Sequence, residues 1–307
     1  MIKKFEIKSH DGPGRICKID GELTPKLFFK DDLKIAPTQG SAHNVDREIV
    51  EFNVKETLKL AKENTNKCDL AVIQGSKYID LRVECLKQLE NIGYNGFIIA
   101  NGDALLTNPK ELVELIVILK KEAKKSSYFI FPFAELSFMP ILTYMGIDGF
   151  LADAANYYSH LNVLQTPTKA YDLNTYPIYD EISQKDLENK NIENMEFVIK
   201  EIHAHMKNKS LRNLVEERSG TTPQNISTLK ILDIKPYLVN LVKSCDDVKI
   251  AYSSSLIADT GQPSIASETD PRFSSVVSAT AAAFPSSFIT NTSGAIDAHI
   301  PHPIHIS

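Results

Sequence analysis

The stretch DLAVIQGSKYIDLRVECLKQLENIGYNGFIIANG, Asp69 to Gly102, decides the fold. It opens on an unbroken apolar run, Leu70 to Ile73, which suits a strand buried on both faces rather than one with a wet face. An amphipathic segment follows, YIDLRVECLKQLENIG, whose apolar residues recur at helical spacing. Then a second unbroken run, FII, again ends in small and polar residues, Ala100, Asn101 and Gly102. A buried strand, a helix and a second buried strand make a βα unit with parallel strands.

The same alternation continues outward. NPKELVELIVILKKEAKK reads as a helix with proline at its start. SYFIFPF reads as a strand, ELSFMPILTYMG as a helix, DGFLAD as a short strand and ANYYSHLN as a helix. Upstream lie a helix, DREIVEFNVKETLKLAKEN, and three β-like pieces, KFEIK, RICKID and KLFF, with the glycine and proline of HDGPGR turning the first into the second. Four consecutive βα units imply a parallel sheet covered by helices, which a doubly wound sheet and a βα barrel both satisfy. No GxGxxG follows any strand, so nothing supports dinucleotide binding.

Beyond about residue 180 the pattern turns helical, and from about residue 251 it is rich in Ser, Ala and Pro. The expected organisation is a βα region over 1–180, a helical appendage over 181–250 and a C-terminal segment over 251–307. The N-terminus shows no apolar signal-peptide core, and no apolar run reaches bilayer length, so a cytoplasmic protein is expected. Cys17, Cys68, Cys85 and Cys245 lie far apart and read as reduced thiols, with no zinc set among them. His299, His302 and His305 have a spacing that could bind metal but read as a loose tail. No metal and no cofactor is expected. The net charge of −5 argues against a chain that grips nucleic acid alone. The short clusters from Leu119 and Met206 read as solvated helix faces.

In parallel βα folds, functional groups gather at the carboxyl ends of the strands. That rule selects Gln74, Gly75 and Ser76, then Asn101, Gly102 and Asp103, then Phe131 and Phe133, then Asp153. Gln74 and Asn101 offer amides suited to the edge of a base, and Gly75 permits close backbone approach. The plainer alternative is that such residues cap the helices that follow. Asp148 reads as a loop or cap residue, and Asp80 and Arg82 as a local pair or caps.

Four strings, DGPGRICKIDGELTPKLFF, AVIQGSKYIDLR, FIIANGDALLTNPKELVELIV and FPFAELSFMPILTYMGIDGF, resemble the tRNA-guanine transglycosylase superfamily, in particular its archaeosine synthase branch. A looser resemblance runs to about residue 273. It implies a TIM-type βα barrel, complete or incomplete, with a helical C-terminal appendage. It also implies a transferase acting on 7-cyano-7-deazaguanine in the D arm of archaeal tRNA, which adds an amine donor, lysine or glutamine, to the nitrile. In base-exchanging members, the strand after GxDxF delivers an aspartate nucleophile. Here that position is Leu151, and Asp153 lies two residues on, displaced by roughly 6–7 Å along a strand. The family's other active-site string, like DSGGFQ, is missing. The family's zinc-binding thiolates are also missing, since the matching region reads YDLNTYPIYDE with Tyr176 and Tyr179 at two ligand positions. The PCxxxKPY-like string and the RNA-binding PUA domain of full-length members have no counterpart. The resemblance therefore implies the N-terminal subunit of a split enzyme, paired with a second subunit carrying a PUA-like domain. Asp103 and Asp153 are the candidate catalytic residues; Gln74, Gly75, Ser76, Asn101, Gly102, Phe131 and Phe133 are the candidate substrate contacts. Two alternatives stand beside it: a catalytically silent subunit and a base-exchanging transglycosylase.

Overall fold

Unbroken apolar runs bounded by glycine and polar residues become the strands of one parallel sheet in the computed structural model, which describes residues 5–233. The chain opens with an antiparallel piece, β1 (Phe5–Asp11), β2 (Gly14–Ile19) and β3 (Glu22–Leu23). β4 (Lys26–Phe28) and α1 (Arg47–Glu63) lead into the repeating region. There β5 (Leu70–Ile73), α2 (Ile79–Ile92), β6 (Gly96–Ile99), α3 (Gly102–Thr107), α4 (Pro109–Glu122) and β7 (Tyr128–Phe131) follow in turn. Next come α5 (Met139–Tyr144), β8 (Gly149–Leu151) and α6 (Asp153–His160). A hairpin, β9 (Val163–Gln165) and β10 (Ala170–Asp172), precedes α7 (Gln184–Lys207), α8 (Leu211–Ser219) and α9 (Pro223–Leu232).

The five-stranded sheet runs in the order β4-β8-β7-β6-β5, and every neighbour is parallel. Ile35, just beyond β4, makes a further parallel bridge to Leu70 on the opposite edge. Side chains alternate between two faces along each strand. Phe28, Leu70, Ile98, Tyr128 and Ile130 meet on one face as a single core, joined by Ile19 and flanked by Ile35 and Leu151. Residues from both edges of the sheet share that core, so the sheet is strongly curved. The alternate residues Ile73, Phe97, Ile99, Phe129, Phe131 and Phe150 are fully buried. α7, α8 and α9 pack against α4, α5, α6 and β4, burying Met195, Val198, Ile202, Leu214 and Val215.

Several elements differ from expectation. The run from Glu181 to Arg218 breaks at Lys209, whose φ of 58° ends α7. Asp11 Oδ2 then accepts from the Leu211 amide at 2.7 Å, so a residue of the first turn starts α8. ELSFMPILTYMG is a 3₁₀ turn over Leu136–Phe138 followed by a short α-helix. YDLNTYPIYDE begins in β10 and is otherwise turn and loop. Among the described residues no helix is long and apolar enough to cross a membrane. Cys17 and Cys85 are buried thiols whose pKa desolvation pushes up to about 12, as suits unreactive core residues. Cys245, the three terminal histidines and the segment 251–307 lie outside the described residues.

Asp148 stands in the loop just before β8, as expected, but its side chain is a buried ion-pair partner and not a helix cap. It is fully buried and takes Arg15 in a two-pronged pair, Nε to Oδ1 at 2.7 Å and Nη2 to Oδ2 at 2.9 Å. The Phe129 amide also donates to Oδ2, at 3.0 Å. Desolvation pushes this carboxyl upward, but the Arg15 and Lys120 charges and the hydrogen bonds outweigh it and hold the pKa below the ordinary range. The pair clamps the antiparallel piece onto the start of β8. Asp80 and Arg82 also do not pair. Asp80 binds Arg47 of α1, while the Arg82 side chain turns inward to the strand ends.

Candidate functional site at the strand carboxyl ends

Three consecutive strands end on a non-glycine residue in the left-handed region: Ser76 after β5 (φ 49°), Asn101 after β6 (φ 58°) and Phe133 after β7 (φ 55°). Such conformations are costly for residues with a Cβ and persist only where the surroundings impose them. Two contacts impose them here. Arg82, fully buried on α2, donates to the carbonyls of Ser76 (2.7 Å) and Ala100 (3.0 Å) and to Asn101 Oδ1 (3.3 Å). Burial lowers its pKa to about 10, against the favourable charge of Glu111. One guanidinium thus ties the β5 and β6 ends together. The β6 and β7 ends approach as closely: a Cβ on Gly102 would stand 2.6 Å from the Pro132 carbonyl. Gly75, with φ 147°, leaves room for Arg82, since a Cβ there would lie 2.5 Å from Arg82 Cγ.

The segment 36–46 lies across the β5 and β6 ends. Gln74 Nε2 donates to Thr38 Oγ1 (3.0 Å), Ser76 Oγ donates to the Ala42 carbonyl (2.9 Å), and Asn101 Nδ2 donates to the Ser41 carbonyl (2.9 Å). His43 at the end of this segment meets Glu111 of α4 at 3.0 Å. Gln74, Ser76 and Asn101 therefore all hold this one segment, with much of their hydrogen-bonding capacity. Gln74 Oε1 is buried and accepts no hydrogen bond among the described residues.

A second group sits at the β7 and β8 ends. Phe133 packs edge-on to Tyr157 (5.2 Å between centroids), which packs edge-on to Tyr158 (5.3 Å). Burial raises the Tyr158 phenol, and the negative charges of Glu135, Tyr157 and Asp103 raise it further. Burial alone raises the Glu135 carboxyl. Asp103, in the first turn of α3, is exposed. Phe131 is fully buried beside Gly102, under the site rather than in it. Glu135, Tyr157 and Tyr158 were missed in the sequence; the only signal was their place just past two strand ends, in FPFAEL and ANYY.

Asp153 begins α6 at the β8 end, beside the β4 end. It lines a cleft of about 250 Å³ with Phe29, Lys30, Asp31 and Glu188. Leu151 pairs with Phe28 in the sheet and packs on the apolar core. Gln74 and Asn101 are not among the residues that line this cleft. Among the described residues no group of three or more His, Cys, Asp or Glu could hold a metal ion.

No family model matches the chain. Archaeosine synthase of Methanocaldococcus jannaschii is 26% identical over 244 residues, a match covering 68% of this chain and 40% of that enzyme. The chain thus spans about two-fifths of the length of the curated relative it matches. The similarity relates this α/β chain distantly to that enzyme.

Proposed function

We propose that this chain is a subunit of an archaeosine-synthase-like, tRNA-modifying transferase, and that its curved sheet is an incomplete βα barrel whose mouth receives the base. The observation that carries the reading is the left-handed strand ends at Ser76, Asn101 and Phe133, around a buried amide oxygen on Gln74 that still lacks a donor. Leaving such an acceptor unmade costs ~1–3 kcal/mol, a cost that a base N–H would remove. The distant similarity to archaeosine synthase supplies the substrate class.

In this reading the substrate is 7-cyano-7-deazaguanine in the tRNA D arm. Gln74 and Asn101 face its polar edge. Gly75, Ser76 and Gly102 let the backbone approach it, and Phe131 and Phe133 back and flank it. The amine nitrogen of lysine, or ammonia released from glutamine as water hydrolyses its side-chain amide to glutamate, bonds to the nitrile carbon. One π pair of the C≡N bond moves to the nitrile nitrogen, which takes a proton as the amine gives one up. Asp103 and Asp153 are the candidate carriers for that proton. Nothing leaves, so the glycosidic bond stays intact and no nucleophilic carboxylate is needed where Leu151 stands. Most tRNA affinity comes from a partner with a PUA-like domain, because the chain carries a net charge of −5. The complex works in the cytoplasm.

The test is nucleoside mass spectrometry of tRNA from a strain lacking the gene. Accumulated 7-cyano-7-deazaguanosine is expected. Unmodified guanosine at that position points to base exchange instead, and unchanged archaeosine overturns the proposal. A second reading, a silent scaffold, draws on the hydrogen bonds that tie Gln74, Ser76 and Asn101 to the segment 36–46. Complementation with Asp103→Asn and Asp153→Asn together separates the two, since a scaffold restores archaeosine without either carboxylate.

A further inference from the structure

We infer that the segment 36–46 is an autoinhibitory strap, closed over the strand-end site in this structure, which must lift before a base can enter. What enters rests on the tRNA-modifying reading; the closure rests on geometry alone. Gln74 is 3% exposed and Ser76 is fully buried. The groups bonded to them across the mouth, Thr38, Ser41 and Ala42, all belong to the segment. No ligand reaches Gln74 while they stay in place.

The two ends of the strap are anchored. The Ala36 amide donates to the Leu70 carbonyl at 2.8 Å, and Arg47, at the start of α1, pairs with Asp80. Between these anchors every residue from Pro37 to Asp46 is exposed or half-buried. Apolar burial therefore contributes little, and polar contacts hold the strap down. Such segments open at the low end of a protein's stability range. Gly40, near the middle, has open space around it.

The contacts at the mouth are ones that a base edge can replace. Gln74 Nε2, the Ser76 hydroxyl and Asn101 Nδ2 donate to Thr38 Oγ1 and to the Ala42 and Ser41 carbonyls. The strap leaves Gln74 Oε1 without a donor. A ring with a carbonyl beside an N–H answers both ends of that side-chain amide: its carbonyl takes Nε2 from Thr38, and its N–H donates to Oε1. The ligand thus competes with the strap for the same donors and makes one bond that the strap does not. Contacts away from the strand ends act as a latch. His43 Nε2 meets Glu111 at 3.0 Å, and Lys77 Nζ donates to Asn44 Oδ1 at 2.6 Å. They favour the closed form whatever occupies the mouth.

Two measurements on the full chain test the strap. Ser76→Cys puts a thiol beneath it. Iodoacetamide should modify that thiol at least about tenfold faster than the fully buried Cys85, because lifting a strap takes less than unfolding a core. Adding His43→Ala, which removes one latch contact, should speed modification about threefold to tenfold. An introduced thiol as slow as Cys85, or one unmoved by His43→Ala, overturns the inference. The second measurement locks the strap. Thr38 Oγ1 and Thr57 Oγ1 lie 3.1 Å apart, so Thr38→Cys with Thr57→Cys can close a disulfide to α1. Calorimetry with the free base 7-cyano-7-deazaguanine as probe should show binding by the dithiol form. The disulfide form should bind at least about tenfold more weakly, and dithiothreitol should restore affinity. The native chain oxidised alongside controls for its own cysteines, and an unchanged melting curve verifies the fold of the dithiol form. Equal affinity in the two forms, or no binding by the dithiol form, overturns the inference. Equal affinity with 7-cyano-7-deazaguanosine accumulating in the deletion strain overturns the strap alone. Binding lost on oxidation, with archaeosine unchanged in the deletion strain, overturns the tRNA-modifying reading alone.

Discussion

Replacing Asp148 by asparagine should destabilise the whole folded unit. The carboxylate is fully buried and accepts two hydrogen bonds from Arg15, one from the Phe129 amide and a long, weak one from the Cys17 thiol at 3.9 Å. Asparagine keeps the volume but turns an NH₂ toward a guanidinium. Arg15 cannot retreat to water, because it also donates to the Ser127 carbonyl at 2.6 Å and the Lys125 carbonyl at 3.2 Å. Breaking one side of a buried pair costs ~3–5 kcal/mol. For a unit of this size each kcal/mol lowers Tm by about 2–4 °C, so a fall of roughly 6–20 °C is expected. The native carboxyl titrates below its ordinary 3.8, so its contribution is fully present above that value and is lost as pH falls through the lower folded pKa. The gap between native and Asp148→Asn should therefore be constant near neutrality and close only in acid. Circular dichroism melts at several pH values measure both. A Tm within about 2 °C of native at pH 7 would refute the account, since that is under ~1 kcal/mol. A gap that stays open below the folded pKa would refute the titration argument. The double change Arg15→Met, Asp148→Leu should recover only part, because the Ser127 carbonyl and Phe129 amide lose their partners.

Arg82→Met should cost roughly 2–6 kcal/mol, since the buried Ser76 carbonyl and the part-buried Ala100 carbonyl lose a donor at ~1–3 kcal/mol each; urea unfolding measures it. Arg82→Lys should rescue little, because one ammonium cannot reproduce the fork that joins two strand ends. Glu135→Gln should stabilise the protein at neutral pH, since burial raises this carboxyl and penalises its charged form. The folded group holds its proton to higher pH than the unfolded one, so the gain should vanish below the ordinary 4.5; a gain that persists in acid contradicts it. Purified protein should not incorporate labelled guanine into tRNA, because the partly buried, apolar Leu151 stands where the resemblance implies that exchange needs a carboxylate. Leu151→Asp alone should not restore exchange, and incorporation at an enzymatic rate by the native chain contradicts the reading.

Much of the architecture was legible in the sequence because it is written in short windows. Unbroken apolar runs such as Leu70–Ile73 and Tyr128–Phe131, too short for a helix and flanked by turn residues, suit strands covered on both faces. Asn108 before Pro109 marks the start of α4, and the Asn108 side chain does accept from the Glu111 amide. The strand-end rule then places Gln74, Ser76 and Asn101 near one another, since parallel strands end on the same side. What the windows do not contain is which distant groups meet. Arg15 and Asp148 are 133 residues apart, and only the docking of the antiparallel piece against β8 brings them together. Arg82 looks like a neighbour for Asp80, yet helical geometry sends it inward to two strand ends and sends Asp80 outward to Arg47. That Gln74 and Asn101 hold the segment 36–46, and that Glu135 is desolvated near Tyr158, are likewise facts of packing. Secondary structure follows from local apolar period, whereas the partner and burial of each charge follow from the three-dimensional register of elements far apart in the chain.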